Sequence, residues 1–241
     1  SLEPLVQQNQ PAVLVGSKDA WPLRIAWTDA HLIERCGNRM LHARICGSRN
    51  TEEVSLSDYV TVLQEPKPRL YAARILLREL PELLPEATPP PELAFATLFG
   101  TSYHEGLIIY FGAGCQETPL HFDEEENIIF VLRGSKHFVL YPPNQSENLY
   151  PGEYPRHYFS NVPPGGDADR FPKFAQARSV EVTVKEGEAL YLPYGWWHAV
   201  RGSEEPNLTL NYWYDVHPNK SELTDDVCGD DDIAAKRHKS Q

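Results

Sequence analysis

The residues best suited to chemistry are two histidines and an aspartate. His121 and Asp123 lie two apart within TPLHFDEEENIIFVLRGSKHFVLY, residues 118–141, and His198 lies within YLPYGWWHAV, residues 191–200. On an extended segment, side chains two apart share one face, so His121 and Asp123 can point the same way. With His198 they would make a set of two imidazoles and one carboxylate. Such a set occupies one face of an octahedron around Fe(II) and leaves the remaining positions open to substrates. Structural zinc takes four closed ligands, often thiolates. Here Cys36, Cys46, Cys115 and Cys228 are scattered without CxxC spacing. A lone His-x-Asp also occurs on ordinary surface strands, so the pair gains meaning only from what brings His198 to it.

Short apolar runs separated by turn residues fill the chain from about residue 93. The predicted strands are Leu107–Phe111, Pro119–Asp123, Asn127–Arg133, His137–Tyr141, Ser179–Val184, Ala189–Leu192 and Leu208–Tyr214, with turns at Gly134-Ser135 and Glu186-Gly187-Glu188. Regular short strands with Gly and Pro between them predict a mainly β fold, a jelly roll or barrel. Antiparallel neighbours in such a fold can bring His198 onto His121 and Asp123. Residues 142–178, rich in Pro, Gly, Asn and Tyr, form a long insertion, and a loop of that length in a folded domain is often functional. Upstream, Ala12–Val15 reads as a strand and Thr28 as the cap of a helix through about Arg35. Met40 to Cys46 reads as extended, Ser55 or Ser57 as the cap of a short helix, and Tyr71–Ile75 as a strand. The proline-rich stretch Pro81–Pro91 predicts extended structure rather than helix. This gives one domain over 1–217, with an N-terminal part (1–92), a jelly-roll core (93–217) and an acidic, disordered tail from 218 to 241.

Composition narrows the function classes. A chain of 241 residues with 41% hydrophobic residues can build one large core, and its formal charge of −12 argues against nucleic acid and anionic membranes as partners. No secretory segment opens the chain, and no apolar run is long enough to span a bilayer. With cysteines that suggest no disulfide framework, the expected setting is the cytoplasm, the nucleus or both.

The two stretches resemble the JmjC-type branch of the cupin Fe(II)/2-oxoglutarate oxygenases. Within it the chain is most similar to the asparaginyl hydroxylase that inhibits hypoxia-inducible factor. The resemblance runs from about Pro11 to Tyr214 and is densest over 118–143 and 187–214. It includes Pro11-Ala12-Val13-Leu14, Leu149-Tyr150-Pro151 and Arg170-Phe171-Pro172. It implies a double-stranded β-helix with N-terminal helices and extra strands, and His121, Asp123 and His198 as the iron ligands. Lys136 matches the cation that pairs with the distal carboxylate of 2-oxoglutarate, although in isolation it reads as a surface lysine after a turn. Thr118 and Tyr71 match hydroxyl donors to the same carboxylate; by themselves they read as a strand-edge threonine and a core tyrosine. Asn127 and Asn211 match amides lining the co-substrate pocket, and Trp213 an aromatic of the same strand. Trp196 and Trp197 read as packing residues, Glu124, Glu125 and Glu126 as a solvated turn, and His137 as pointing away from the pocket.

The departures matter too. A glutamine that grips the target asparagine in that hydroxylase is replaced here by Ala73. Residues 157–169 hold no counterpart of its Arg-Gln pair, and an acidic tail stands where its dimerising helices would be. The expectation is therefore an Fe(II)- and 2-oxoglutarate-dependent dioxygenase that hydroxylates a protein or peptide side chain, releases succinate and CO2, and is a monomer. The alternatives are an N-methyl-lysine demethylase, a tRNA-nucleoside hydroxylase and a non-catalytic metal-binding cupin.

Overall fold

Alternation of apolar and polar residues favours strands along much of the chain, and in the computed structural model the strands among the described residues form two facing sheets. The structure describes residues 2–16, 27–88, 99, 103–114 and 116–215. The expected tail at 218–241, Trp21-Pro22 and residues 89–91 of the proline-rich stretch lie outside them. The strands are β1 (Ala12–Val15), β2 (Met40–Ile45), β3 (Thr51–Ser55), β4 (Leu70–Leu76), β5 (Tyr103–Gly112), β6 (Glu117–His121), β7 (Glu126–Arg133), β8 (Ser135–Tyr141), β9 (Val180–Lys185), β10 (Glu188–Leu192), β11 (Trp197–Gly202) and β12 (Asn207–Tyr214). The larger sheet runs β1-β10-β7-β12-β5-β4-β2-β3 and the smaller one β6-β11-β8-β9. The chain crosses between them at tight turns. β7 and β8 flank Gly134, whose φ of +68° suits glycine. β9 pairs with β8 in the small sheet, while β10, one turn later, pairs with β7 in the large one. This is the jelly-roll arrangement expected of the β core.

Strand parity sorts side chains into two layers. Leu208, Leu210, Tyr212 and Tyr214 of β12 pack outward with Leu107, Ile109 and Phe111 of β5 against the N-terminal helices. Ile129 and Val131 of β7, Phe138 and Leu140 of β8, and Leu190 and Leu192 of β10 fill the space between the sheets. The outer layer is covered by α2 (Asp29–Cys36) and α3 (Leu56–Leu63), which follow α1 (Glu3–Gln7) in chain order. Thr28 and Ser55 accept hydrogen bonds from the backbone N–H groups of His31 (3.2 Å) and Asp58 (3.1 Å), so both helix caps form as their residue types predict. Tyr59 of α3 bridges two strands: its hydroxyl donates to the Phe111 carbonyl and accepts from the Ala72 N–H at 3.0 Å. No helix among the described residues is long and apolar enough to cross a membrane.

Several expectations are corrected. β6 ends at His121, so Asp123 lies past the strand, just before the bend at Glu124-Glu125, rather than on it. β3 and β11 are additional strands, and α4 (Leu84–Ala87) is a short helix inside the proline-rich stretch. Pro85 sits in the first turn of α4, where a missing N–H costs nothing. Glu126 is no part of a solvated turn: it is fully buried and accepts a hydrogen bond from the Tyr191 hydroxyl at 2.8 Å. Cys46 is disulfide-bonded, where the scattered cysteines had suggested no disulfide framework. Cys36 is a free, buried thiol.

Candidate metal centre

β6 and β11 run antiparallel with His121 opposite His198. Directly opposed residues project to the same side of a sheet, and the two imidazole centroids are 4.1 Å apart. Asp123 joins them from just past β6, where the Gly195 N–H donates to the Asp123 carbonyl at 3.0 Å. The segment that leads into His198 thus also fixes the carboxylate. Asp123 Oδ1 lies 3.7 Å from His121 Nε2, and its Oδ2 lies 3.4 Å from His198 Nε2. One donor atom from each residue falls within 4.8 Å of the other two.

The ring orientations favour a metal as well. His121 Nδ1 is 2.8 Å from the Pro119 carbonyl and His198 Nδ1 is 2.9 Å from the Trp196 carbonyl. A carbonyl only accepts, so each Nδ1 carries the hydrogen and each Nε2 presents a lone pair to the carboxylate side. Burial, and then the neighbouring His121, hold the His198 imidazole well below its ordinary range, so it is neutral as a ligand must be. These carbonyl partners are what sequence reasoning lacked.

A second polar cluster lies along the same strands. β8 pairs with β11 so that Leu140 faces His198 and Lys136 faces Gly202. That is a four-residue offset, about 13 Å at ~3.3 Å per residue. Lys136 shares parity with Phe138 and Leu140, so it projects between the sheets and is only 4% exposed, not a surface lysine. His137 points outward to Glu181, at 3.4 Å, as alternation predicts. Among the described residues no carboxylate pairs with Lys136. Its ammonium donates to Gln116 Oε1 and sits 5.7 Å from the centroid of the Tyr71 ring. Burial without a counter-charge lowers the lysine to about 7.

A β-bulge places Thr118. Between His198 and Val200 the chain advances two residues on β11 but three on β6, which makes Thr118 the partner of Val200. Val200 packs into the inter-sheet core, so Thr118 faces the same interior as His121. Asn127 and Asn211 are both buried; the Asn211 carboxamide accepts from Thr209 Oγ1 at 3.0 Å and reaches Asn127 Oδ1 at 3.5 Å. The eight predicted residues therefore fall into a triad at one place and Lys136 with Tyr71 at another, with Thr118, Asn127 and Asn211 on the walls. Gln116 was missed, although period-two alternation from Thr118 puts it on the same inward face.

The insertion at 142–178 is bound to the rim of the triad. The Ser160 N–H donates to the Leu120 carbonyl at 2.9 Å, and the Phe122 N–H to the Tyr158 carbonyl at 3.0 Å. Phe159 bridges to His121 and stacks on its ring at 5.6 Å. Trp197 Nε1 donates to Ser146 Oγ at 2.8 Å, which ties the base of β11 to the start of the insertion.

Comparison with known proteins agrees with this geometry. The Cupin-like domain family matches residues 2–220. Among similar curated proteins, Jumonji C domain-containing protein 5 of Drosophila melanogaster is 24% identical over 87% of this chain and 55% of its own length. Lysine-specific demethylase 8 of Xenopus tropicalis is 27% identical over 86% of this chain and 48% of its own. Human bifunctional peptidase and (3S)-lysyl hydroxylase JMJD7 is 31% identical over 57% of this chain and 50% of its own. The chain thus spans about half the length of these relatives. With a family match across nearly all the described residues, two facing sheets and a His-Asp-His cluster between them, the chain belongs to the Cupin-like domain family.

Proposed function

We propose that this protein is an Fe(II)- and 2-oxoglutarate-dependent dioxygenase that hydroxylates a protein side chain. The observation that carries the reading is the pairing of a three-ligand set with a buried, uncompensated lysine in one barrel interior. His121, Asp123 and His198 would hold the metal through two Nε2 atoms and one carboxylate. When bound, iron with 2-oxoglutarate and dioxygen as the oxidant would supply oxidative decarboxylation, one oxygen atom passing to succinate as CO2 leaves and the other to a C–H bond of the substrate.

The protein's own residues bind and orient. Lys136 presents an ammonium whose attraction for a carboxylate is little weakened by solvent. Tyr71 and Thr118 border the same space and offer hydroxyls. Asn127 and Asn211 are buried side by side, the Asn211 amide reaching Asn127 Oδ1 at 3.5 Å. Ile129, Phe138 and Leu140 keep water from the interior. The Phe159 ring over His121 narrows the mouth, and Tyr154 and Tyr158 stand exposed on the insertion where a peptide would approach.

The names of two relatives support a peptidyl target. One is named as a lysine-specific demethylase and one as a lysyl hydroxylase. With Ala73 in place of a glutamine and no Arg-Gln pair in the insertion, an asparagine target has less support. Demethylation is the second reading, favoured by the first of those names. Incubation with candidate peptides, Fe(II) and 2-oxoglutarate, read by mass spectrometry, separates the two. Hydroxylation leaves a stable gain of oxygen, whereas demethylation of a methyl-lysine releases formaldehyde and loses a methylene. Oxygen gain that persists in His121→Ala without added Fe(II) would refute both.

A further inference from the structure

Gln116 is a polar side chain only 1% exposed, and the strand pairing explains why it is there. It precedes Thr118 by two residues, so both face inward, and the Gly202 N–H donates to its backbone carbonyl at 3.0 Å. Two glycines make its room. A Cβ on Gly202 would stand 2.7 Å from Gln116 Oε1. One on Gly112 would stand 2.6 Å from Gln116 Nε2 and 2.8 Å from Tyr71 Cδ2. Real Cβ atoms do not approach that closely, so at both positions only hydrogen fits beside the carboxamide.

The orientation of this carboxamide follows from its neighbour. An ammonium has donors only, so the atom touching Lys136 must be the oxygen. The NH2 group then faces the Tyr71 ring across the gap at Gly112, and it is buried without a hydrogen-bond partner among the described residues. A buried, unsatisfied donor is costly in a folded protein. Lys136, held by Gln116 Oε1, still has two donors to offer. The Lys136 ammonium and the Gln116 NH2 therefore offer donors side by side between the sheets, with the Tyr71 ring beside them. An acceptor with two oxygens would satisfy both.

We propose that Gln116 is a co-substrate-binding residue, its oxygen orienting the Lys136 ammonium and its NH2 donating to the distal carboxylate of a bound 2-oxo dicarboxylic acid. This rests on the oxygenase reading above and adds a specificity element to it. Lys136 supplies charge, and Gln116 supplies a second, directional hydrogen bond that a 2-oxo acid with an apolar tail cannot use. A carboxylate at position 116 would instead neutralise Lys136 from within and exclude the ligand.

The test is calorimetric titration of Mn(II)-loaded protein with 2-oxoglutarate and with 2-oxopentanoate, which has the same carbon count but ends in a methyl group. Gln116→Met keeps the side-chain length and removes both polar atoms. It is expected to weaken 2-oxoglutarate binding at least about tenfold, the usual effect of losing a hydrogen bond to a charged group. Binding of 2-oxopentanoate should stay within about twofold, because no partner is lost. Gln116→Glu should abolish 2-oxoglutarate binding while retaining 2-oxopentanoate, and it serves alone if the methionine variant fails to fold. Unchanged 2-oxoglutarate affinity in folded Gln116→Met, or equal weakening of both acids, would overturn the role of Gln116. Wild-type protein that does not prefer 2-oxoglutarate to 2-oxopentanoate would overturn the oxygenase reading and this inference together.

Discussion

Binding of 2-oxoglutarate should be proton-linked through Lys136. Burial without a counter-charge lowers this lysine from 10.5 to about 7, so near neutral pH roughly half of the ligand-free protein carries the charge there. A carboxylate bound against the ammonium favours the charged form and returns the lysine to its ordinary range. Above pH 7 each binding event must therefore take up a proton, and affinity should fall toward tenfold per pH unit. From pH 6.5 to 8.5 the protonated fraction falls from about three-quarters to about 3%, which gives a loss of roughly 25-fold, about 2 kcal/mol. Titration calorimetry at pH 8.5 in buffers of different ionisation enthalpy should count close to one proton taken up per 2-oxoglutarate. The apolar-tailed acid should show neither uptake nor pH slope, and Lys136→Met should flatten the profile. A wild-type affinity for 2-oxoglutarate that is flat over this range, with no proton taken up, would refute the reasoning.

The same lysine bears on stability. Below pH 7 both folded and unfolded chains are protonated there, and the fold bears the cost of a buried charge. As pH rises from about 7 toward 10.5 the unfolded chain holds more protons, so the Lys136 contribution should rise by at most about 1.4 kcal/mol per pH unit; removal of that slope in Lys136→Met during denaturant titration checks the sign. Gly112→Ala should weaken 2-oxoglutarate binding without touching the metal ligands, because the new Cβ meets Gln116 and Tyr71 within 2.8 Å; Mn(II) stoichiometry by electron paramagnetic resonance should be unchanged. Tyr191→Phe leaves buried Glu126 without one donor and should cost about 1–3 kcal/mol in urea unfolding, with the Mn(II) site intact.

How far the site could be read from sequence depended on what each residue type reveals about its neighbours. Asn127–Arg133, His137–Tyr141 and Leu208–Tyr214 carry long runs of branched and aromatic residues, and their strands appear within a few residues of expectation. Thr51–Ser55, TEEVS, has only Val54 to bury, and so β3 carries no period-two apolar signal. β11 begins within Gly195-Trp196-Trp197, which reads as a loop; it is strand because it lies between β6 and β8 in the small sheet. His121 and His198 were legible as ligand types, but their carbonyl acceptors at Pro119 and Trp196 depend on backbone paths that no side-chain pattern encodes. Glu126 shows the opposite failure. Three consecutive glutamates look solvated, yet β7 begins at the third and buries it against Tyr191 on the face covered by the N-terminal part. Thr118 was placed by resemblance, and only the bulge opposite Val200 explains how it shares a face with His121 across an odd spacing.

In the proposed function the His-Asp-His cluster and the Lys136 site act together as a 2-oxoglutarate oxygenase. Its most direct test follows 2-oxoglutarate and succinate by NMR in air-saturated buffer with Fe(II), using wild-type protein, His121→Ala and Lys136→Met. Wild-type protein should form succinate, His121→Ala none above the metal-only control, and Lys136→Met only at a strongly raised 2-oxoglutarate concentration. Succinate formed at the wild-type rate by His121→Ala, or none from wild-type protein that binds both Fe(II) and 2-oxoglutarate in the presence of its peptide, would contradict that function.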